Sequence, residues 1–200
     1  INSSLDKDLV GSNIVIWTTT PWTIPGNRAL AFGKDLKYSL IEVQSISDES
    51  LAKVGDKLIF ADELVNQVSE EIGIKTFKII KTFKGSNFKD CKCEHPFKNI
   101  GYDFVINPFH GDFVNLEQGT GIVHIAPGHG VDDYNLGIQN SVDIIQTVQD
   151  DGKYNHHAKG FEGEHIYKVD NKIAEKLKEF SKLLFKGTLR HSYPHSWRSK

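Results

Sequence analysis

A chain of 200 residues, 38% apolar and 25% charged, has the composition of a globular protein long enough to bury a real core. Its formal charge of -2 is not the strongly basic balance of a groove-binding nucleic-acid domain, so any RNA contact is expected to be local or shared with another domain. No apolar run of about 18 residues and no basic-then-apolar leader occurs, and the two cysteines, Cys91 and Cys93, make no disulfide framework; the expectation is a cytoplasmic protein without a membrane partner.

Residues 1–12 form a polar entry. Asn13 to Thr20 (NIVIWTTT) has the β-branched content of a buried strand, and Pro21 and Pro25-Gly26 then mark turns. Strands are expected over Arg28–Phe32, Tyr38–Val43 and Lys57–Phe60, with a polar surface excursion at 44–54. Leu64, Val65, Val68 and Ile72 carry a helical period, which predicts a helix over Ala61–Ile72 ended by Gly73. Thr76–Phe83 follows as a strand, and 84–103 as loop with an ordered corner at His95-Pro96-Phe97. Asp103–Asn107 and Gly121–Ile125 suit central strands. A helix is expected from Val131, with Asp132 and Asp133 in its first turn, where negative charge suits the dipole. Asp143–Val148 reads as a strand. Val169–Leu184 reads as a helix with Ile173, Leu177, Phe180 and Leu184 on one face, ended by Gly187. Many short strands with two or three helices predict a β-rich α+β domain, barrel-like in its sheet. The absence of Met and the start at Ile1 suggest a fragment of a larger protein.

Two stretches hold chemistry. In Trp17 to Thr23 (WTTTPWT), an extended backbone puts Thr18 and Thr20 on one face and Thr19 on the other, an array of small hydroxyls able to hold substrate oxygens or a water. Threonine is also an ordinary strand residue, so the flanking Trp-Pro-Trp-Thr carries the specificity. In Gly119 to Asp133, a strand brings His124 to a glycine-rich turn, and Asp133 lies nine residues on, spacing that can bring both to one pocket mouth. Asp133 could pair with an ammonium group, while one of Asp132 and Asp133 serves the helix terminus alone. His124 could equally be a hydrogen-bonded core histidine, and His129, between two glycines, a brace for the loop. Cys91, Cys93 and His95 lack the spacing and fourth partner of a zinc site, so no metal and no cofactor are expected. The short glycine pairs make no phosphate loop, no G-x-S-x-G elbow occurs, and His156-His157 falls in a polar loop.

WTTTPWTIPGNRALAF (17–32) and GTGIVHIAPGHGVDDYNLG (119–137) closely resemble the two signature regions of the isoleucyl-tRNA synthetase editing domain, also called connective peptide 1. HPF (95–97) and YPHSWRSK (193–200) resemble the same family, so the likeness spans nearly the whole chain. Valyl and leucyl relatives read TTRP where this chain has TTTP at Thr18–Pro21, which favours the isoleucyl member. The resemblance implies a β-barrel core with peripheral helices, residues 1–200 being a single editing domain from a larger class I synthetase. It also implies hydrolysis of the ester joining valine to the terminal ribose of isoleucine tRNA, extended to valyl-adenylate in the intact enzyme. No HIGH-type or KMSKS motif is present, so amino-acid activation and ATP use are not expected. Such a second site has a physical reason: one missing methylene changes binding by only about 1–3 kcal/mol, a magnitude for which isoleucine against valine is the standard example.

By the same resemblance Asp133 anchors the substrate α-ammonium and His124 lines the side-chain pocket, excluding isoleucine by size. Thr18, Thr19 and Thr20 contact substrate and position water, Asn27 matches an asparagine linked to editing, and Trp17 shapes the wall. No nucleophile is paired with an oriented base, which predicts direct attack by water without a covalent intermediate. Implied partners are the aminoacylated 3′ end of tRNA, its valine moiety and the rest of the parent synthetase, the chain acting as a monomer. Competing readings are a valyl- or leucyl-type editing domain, a module that binds the tRNA end without catalysis, and a free hydrolase.

Overall fold

The computed structural model describes residues 1–187, and their strands make two four-stranded sheets. The first has the order β1 (Asn13–Ile14), β4 (Lys57–Ala61), β3 (Lys37–Ile46), β5 (Ile74–Lys84). The second has the order β6 (Cys93–Glu94), β7 (Val105–His110), β2 (Ala29–Phe32), β8 (Ile122–Ile125). Consecutive apolar residues in β3 and β4 leave no solvent face: Tyr38, Leu40, Ile41, Leu58, Ile59 and Phe60 are all buried. Helix α1 (Val65–Glu71) adds Val65 and Val68 to that core, and Gly73 ends it with φ +76°. Strand β5 is an edge, with Ile79 and Ile80 exposed beside a register shift between Leu40 and Ile41, an irregularity that discourages further pairing there.

Wholly buried β2 is the hub of the second sheet, parallel to β7 and antiparallel to β8, with Leu30 opposite His124. One side chain joins the sheets: the Tyr38 hydroxyl donates to Gly121 O at 2.8 Å and accepts from Gly33 N at 3.0 Å. A second core of Phe97, Tyr102, Tyr154, Phe161, Val169, Ile173 and Leu177 lies under Ile24, and α3 (Asp170–Glu179) belongs to it. The chain crosses this core as a 3-10 helix, Pro21–Gly26, held from below by the Tyr154 hydroxyl donating to Trp22 O.

The β-rich α+β expectation holds, with the sheet divided in two. Several local expectations do not, among them the loop expected over 84–103, which holds the short strand β6. Asn13–Thr20 is strand only at Asn13–Ile14, because the Thr20 N–H is taken by Thr18 Oγ1 at 3.0 Å and Pro21 supplies no donor. Asp143–Val148 makes no strand; its only pairing is an isolated bridge from Val148 to Tyr154, and the segment instead packs against Gly128. The last helix stops at Glu179, well short of Gly187, where Ser181 turns to φ 54° and Lys182 N bonds Leu177 O at 2.7 Å. The surface excursion also starts later than expected, since β3 runs on to Ile46. YPHSWRSK (193–200) lies outside the described residues. Among those described, no helix is long and apolar enough to cross a membrane.

Candidate functional site

The threonine run is shaped by its own hydroxyls. Thr18 Oγ1 accepts the Thr20 N–H at 3.0 Å and lies 3.3 Å from Thr20 Oγ1, so these two side chains share a side while Thr19 is exposed. Pro21 then starts the 3-10 helix, where its fixed φ suits the first position. One turn on, Thr23 donates its hydroxyl back to Thr20 O at 2.9 Å.

This segment forms one wall of a cavity of about 430 Å³. Strand β8 supplies His124, and α2 (Val131–Gln139) supplies Asp133 from its first turn. Trp17, Thr18, Thr19, Thr20, His124 and Asp133, all singled out in the sequence, line this one space. Two glycines, one ending the 3-10 helix and one in the glycine-rich turn, make the geometry possible. A Cβ on Gly26 would come within 2.8 Å of His129 Cδ2, and one on Gly128 within 2.4 Å of Ile145 O, so both positions demand a bare backbone.

His124 is only 8% exposed, and its Nε2 lies 3.2 Å from Thr23 Oγ1. Since the Thr23 hydrogen goes to Thr20 O, Nε2–H is the donor in that pair. Burial, with His129 nearby, pushes the His124 pKa down to about 4, so the ring is neutral at pH 7. Its Nδ1 has no hydrogen-bond partner among the described residues. Asp133 accepts the Ala126 N–H at 2.6 Å through Oδ2, and burial raises its pKa above the ordinary carboxylate value. No ion pair among the described residues involves it. The described lining holds two carboxylates, Glu117 and Asp133, and no Lys or Arg, a balance that suits a cationic group.

Asn27 is not on the lining. It is buried behind it at the end of the 3-10 helix, its N–H bonded to Ile24 O at 3.0 Å and its Oδ1 unpartnered among the described residues. Asp132 is exposed on α2. His95 is spent on scaffold: Nδ1 accepts Phe97 N–H at 3.0 Å, Nε2 reaches Ile24 O at 3.1 Å, and burial lowers its pKa to about 3. Cys91 and Cys93 are buried free thiols whose pKa values rise on burial, to about 11 for Cys93. Among the described residues no three His, Cys, Asp or Glu side chains are grouped to hold a metal.

Sequence reasoning missed part of the site. Thr23 stood in the quoted string without a role, although its i, i+3 relation to Thr20 in a 3-10 turn was a usable signal. The opposite wall, with Phe113, Asn115, Glu117 and Gln118, is irregular chain that carries no periodicity and no motif.

No protein-family model matches the chain. It is 50% identical over 194 residues to the isoleucine–tRNA ligase of Pelagibacter ubique, covering 97% of this chain and 21% of that protein. Against the isoleucine–tRNA ligase of Gluconobacter oxydans it is 40% identical over 203 residues, 96% of this chain and 21% of the relative. The chain thus spans about a fifth of the length of these relatives. Its fold is that of a crystallised LeuRS CP1 domain, GlLeuRS-CP1, with a TM-score of 0.66 at 13% identity, covering 90% of this chain and 84% of that one. The editing domain of the P. knowlesi cytosolic leucyl-tRNA synthetase gives 0.61 at 10% identity, covering 88% and 87%.

Proposed function

This chain is homologous along nearly its whole length to one stretch of the isoleucine–tRNA ligases, and from that relationship we propose that it is their editing module, hydrolysing valine from mischarged isoleucine tRNA. The observation that carries the proposal is the single cavity lined by the hydroxyls of Thr18 to Thr20, the neutral ring of His124 and the unpaired carboxylate of Asp133. A valyl ester has a cationic ammonium, a carbonyl and a small branched side chain, and the lining offers a matching group for each.

In this reading Asp133 holds the α-ammonium, which fixes the ester carbonyl for attack. His124 walls the side-chain space, admitting valine and excluding the larger isoleucine. Hydroxyls from Thr18, Thr19 and Thr20 contact the substrate and orient the attacking water, and Trp17 closes the outer wall. Asn27 acts by position, through the 3-10 helix that it ends. Attack by water is direct, with no covalent enzyme intermediate and no cofactor. The module works as a monomeric insertion of a cytoplasmic class I synthetase, which presents the aminoacylated 3′ end of the tRNA.

The test is release of amino acid from valyl- and isoleucyl-tRNA by the full-length ligase and by this chain. Valine is expected to leave much faster than isoleucine; equal rates overturn the size filter. Leucyl- and threonyl-tRNA in the same panel separate the isoleucyl reading from a leucyl or valyl one.

A further inference from the structure

His129 also lines the cavity, and the proposed reaction leaves it without a role. One edge of its ring is clamped. Its Cδ2 and Nε2 would lie 2.8 and 3.1 Å from a Cβ on Gly26, so that edge lies against the 3-10 helix. Nε2 is 2.6 Å from Thr147 Oγ1, and Trp22 meets the ring edge-on with centroids 5.2 Å apart. What remains to face the cavity is the opposite edge, Nδ1–Cε1. Nδ1 has no hydrogen-bond partner among the described residues.

Thr147 decides where the ring proton sits. This residue is fully buried, and its hydroxyl meets no partner but Nε2 among the described residues. If it only accepted, its own hydrogen would be left unpaired in the interior. The satisfied arrangement has Thr147 donating to Nε2, which puts the single proton of a neutral imidazole on Nδ1. Burial, and the charge of Arg28, lower the ring's pKa and keep it neutral at pH 7. An oxyanion formed beside Asp133 and Glu117 needs donors, and the described lining has no Lys or Arg to provide them.

We infer that His129 is a catalytic residue of the proposed hydrolysis, its Nδ1–H donating a hydrogen bond to the oxyanion that forms as water adds to the ester carbonyl. The inference rests on the editing function proposed above. The water oxygen bonds to the carbonyl carbon, charge collects on the carbonyl oxygen, and the bond to the ribose oxygen breaks as that oxygen takes up the water's proton. His129 keeps its own proton throughout.

Amide variants read the two nitrogens separately. His129→Asn sets an N–H near the Nδ1 position, His129→Gln sets one near Nε2, and His129→Phe keeps the ring packing without a donor. In the full-length ligase the Phe variant is expected to lose about 10²–10³-fold in kcat for valyl-tRNA hydrolysis, as removal of one oxyanion donor does, with KM little changed. The Asn variant should exceed the Gln variant by about tenfold, an ordering that a merely bracing side chain has no reason to show. Thr147→Val, which frees the tautomer, should lower kcat by about tenfold and leave KM alone. Asn and Gln variants of equal kcat, or a folded Phe variant with wild-type kcat, overturn the inference while leaving the editing function standing. A wild-type ligase that leaves valyl-tRNA intact overturns both.

Discussion

His95 and His124 are both sealed in the interior, and burial holds both imidazoles neutral, yet the two regions use them differently. At the His95–Phe97 corner both ring nitrogens are committed, to Phe97 N and Ile24 O, and the ring stacks on Tyr102 with centroids 4.5 Å apart. On β8, His124 commits only Nε2, to Thr23, and borders a cavity. Burial and a lowered pKa therefore do not mark a functional histidine in this molecule. Uncommitted hydrogen-bonding capacity is what separates the two rings, because a buried polar atom without a partner costs stability that packing alone does not explain.

The contrast can be broken most forcefully at the scaffold. His95→Ala should cost about 3–5 kcal/mol, since it removes a buried ring and leaves Ile24 O and Phe97 N–H unpaired. Urea unfolding measures this, and a loss below about 1 kcal/mol would show that the corner is not what holds the 3-10 helix. On the cavity side, Asp133→Ala should slow valine release about 100-fold or more at a smaller stability cost of about 1–3 kcal/mol, because it leaves the Ala126 N–H unpaired but breaks no ion pair among the described residues. An unchanged deacylation rate removes Asp133 from the site. His124→Ala should raise isoleucyl-tRNA hydrolysis about 10–100-fold, the range open to a size filter of one methylene. Preserved selectivity in that variant would leave the wall to some other residue.

The smallest effect is shared by both histidines and sharpens the contrast by failing to separate them. Their pKa values in the fold, about 3 for His95 and about 4 for His124, lie below the ordinary 6.5. Below pH 6.5 the unfolded chain binds protons that the folded chain refuses, so stability is complete above that value and falls as pH drops toward 4. Between pH 6 and 5 each ring should contribute up to about 1.4 kcal/mol per pH unit. Urea midpoints at pH 7, 6 and 5 report the slope; a flat profile contradicts neutral burial of these rings.

Much of this was legible in the sequence where local chemistry and tertiary packing agree. Leu64, Val65, Val68 and Gly73 marked α1 because that helix buries one face and ends on a residue that tolerates φ +76°. The site strings were visible because a close-packed turn permits few residues at Gly26, Gly128 and their neighbours. What failed were segments whose backbone bonds go to unexpected partners. Thr18 to Pro21 looked like strand, but a side-chain hydroxyl replaced the ladder. Asp143 to Val148 has strand composition, but its backbone at Ile145 and Gln146 lies against Gly128 of the glycine turn instead of in a ladder. Ser181 took the left-handed turn that Gly187 was expected to provide, and the chain beyond it still packs, Leu183 on the second core and Leu184 on the first, without continuing the helix. The Thr147 contact behind His129 joins residues 18 positions apart in sequence, and no period or motif announces such a pair.

The most direct test of the account is a crystal structure of the chain with a non-hydrolysable amide analogue of the 3′-terminal valyl-adenosine. The account predicts the valine ammonium within about 3 Å of the Asp133 carboxylate, its side chain against His124 and its carbonyl among the Thr18–Thr20 hydroxyls. An analogue seated outside the cavity, or inside it with the ammonium turned away from Asp133, would contradict it.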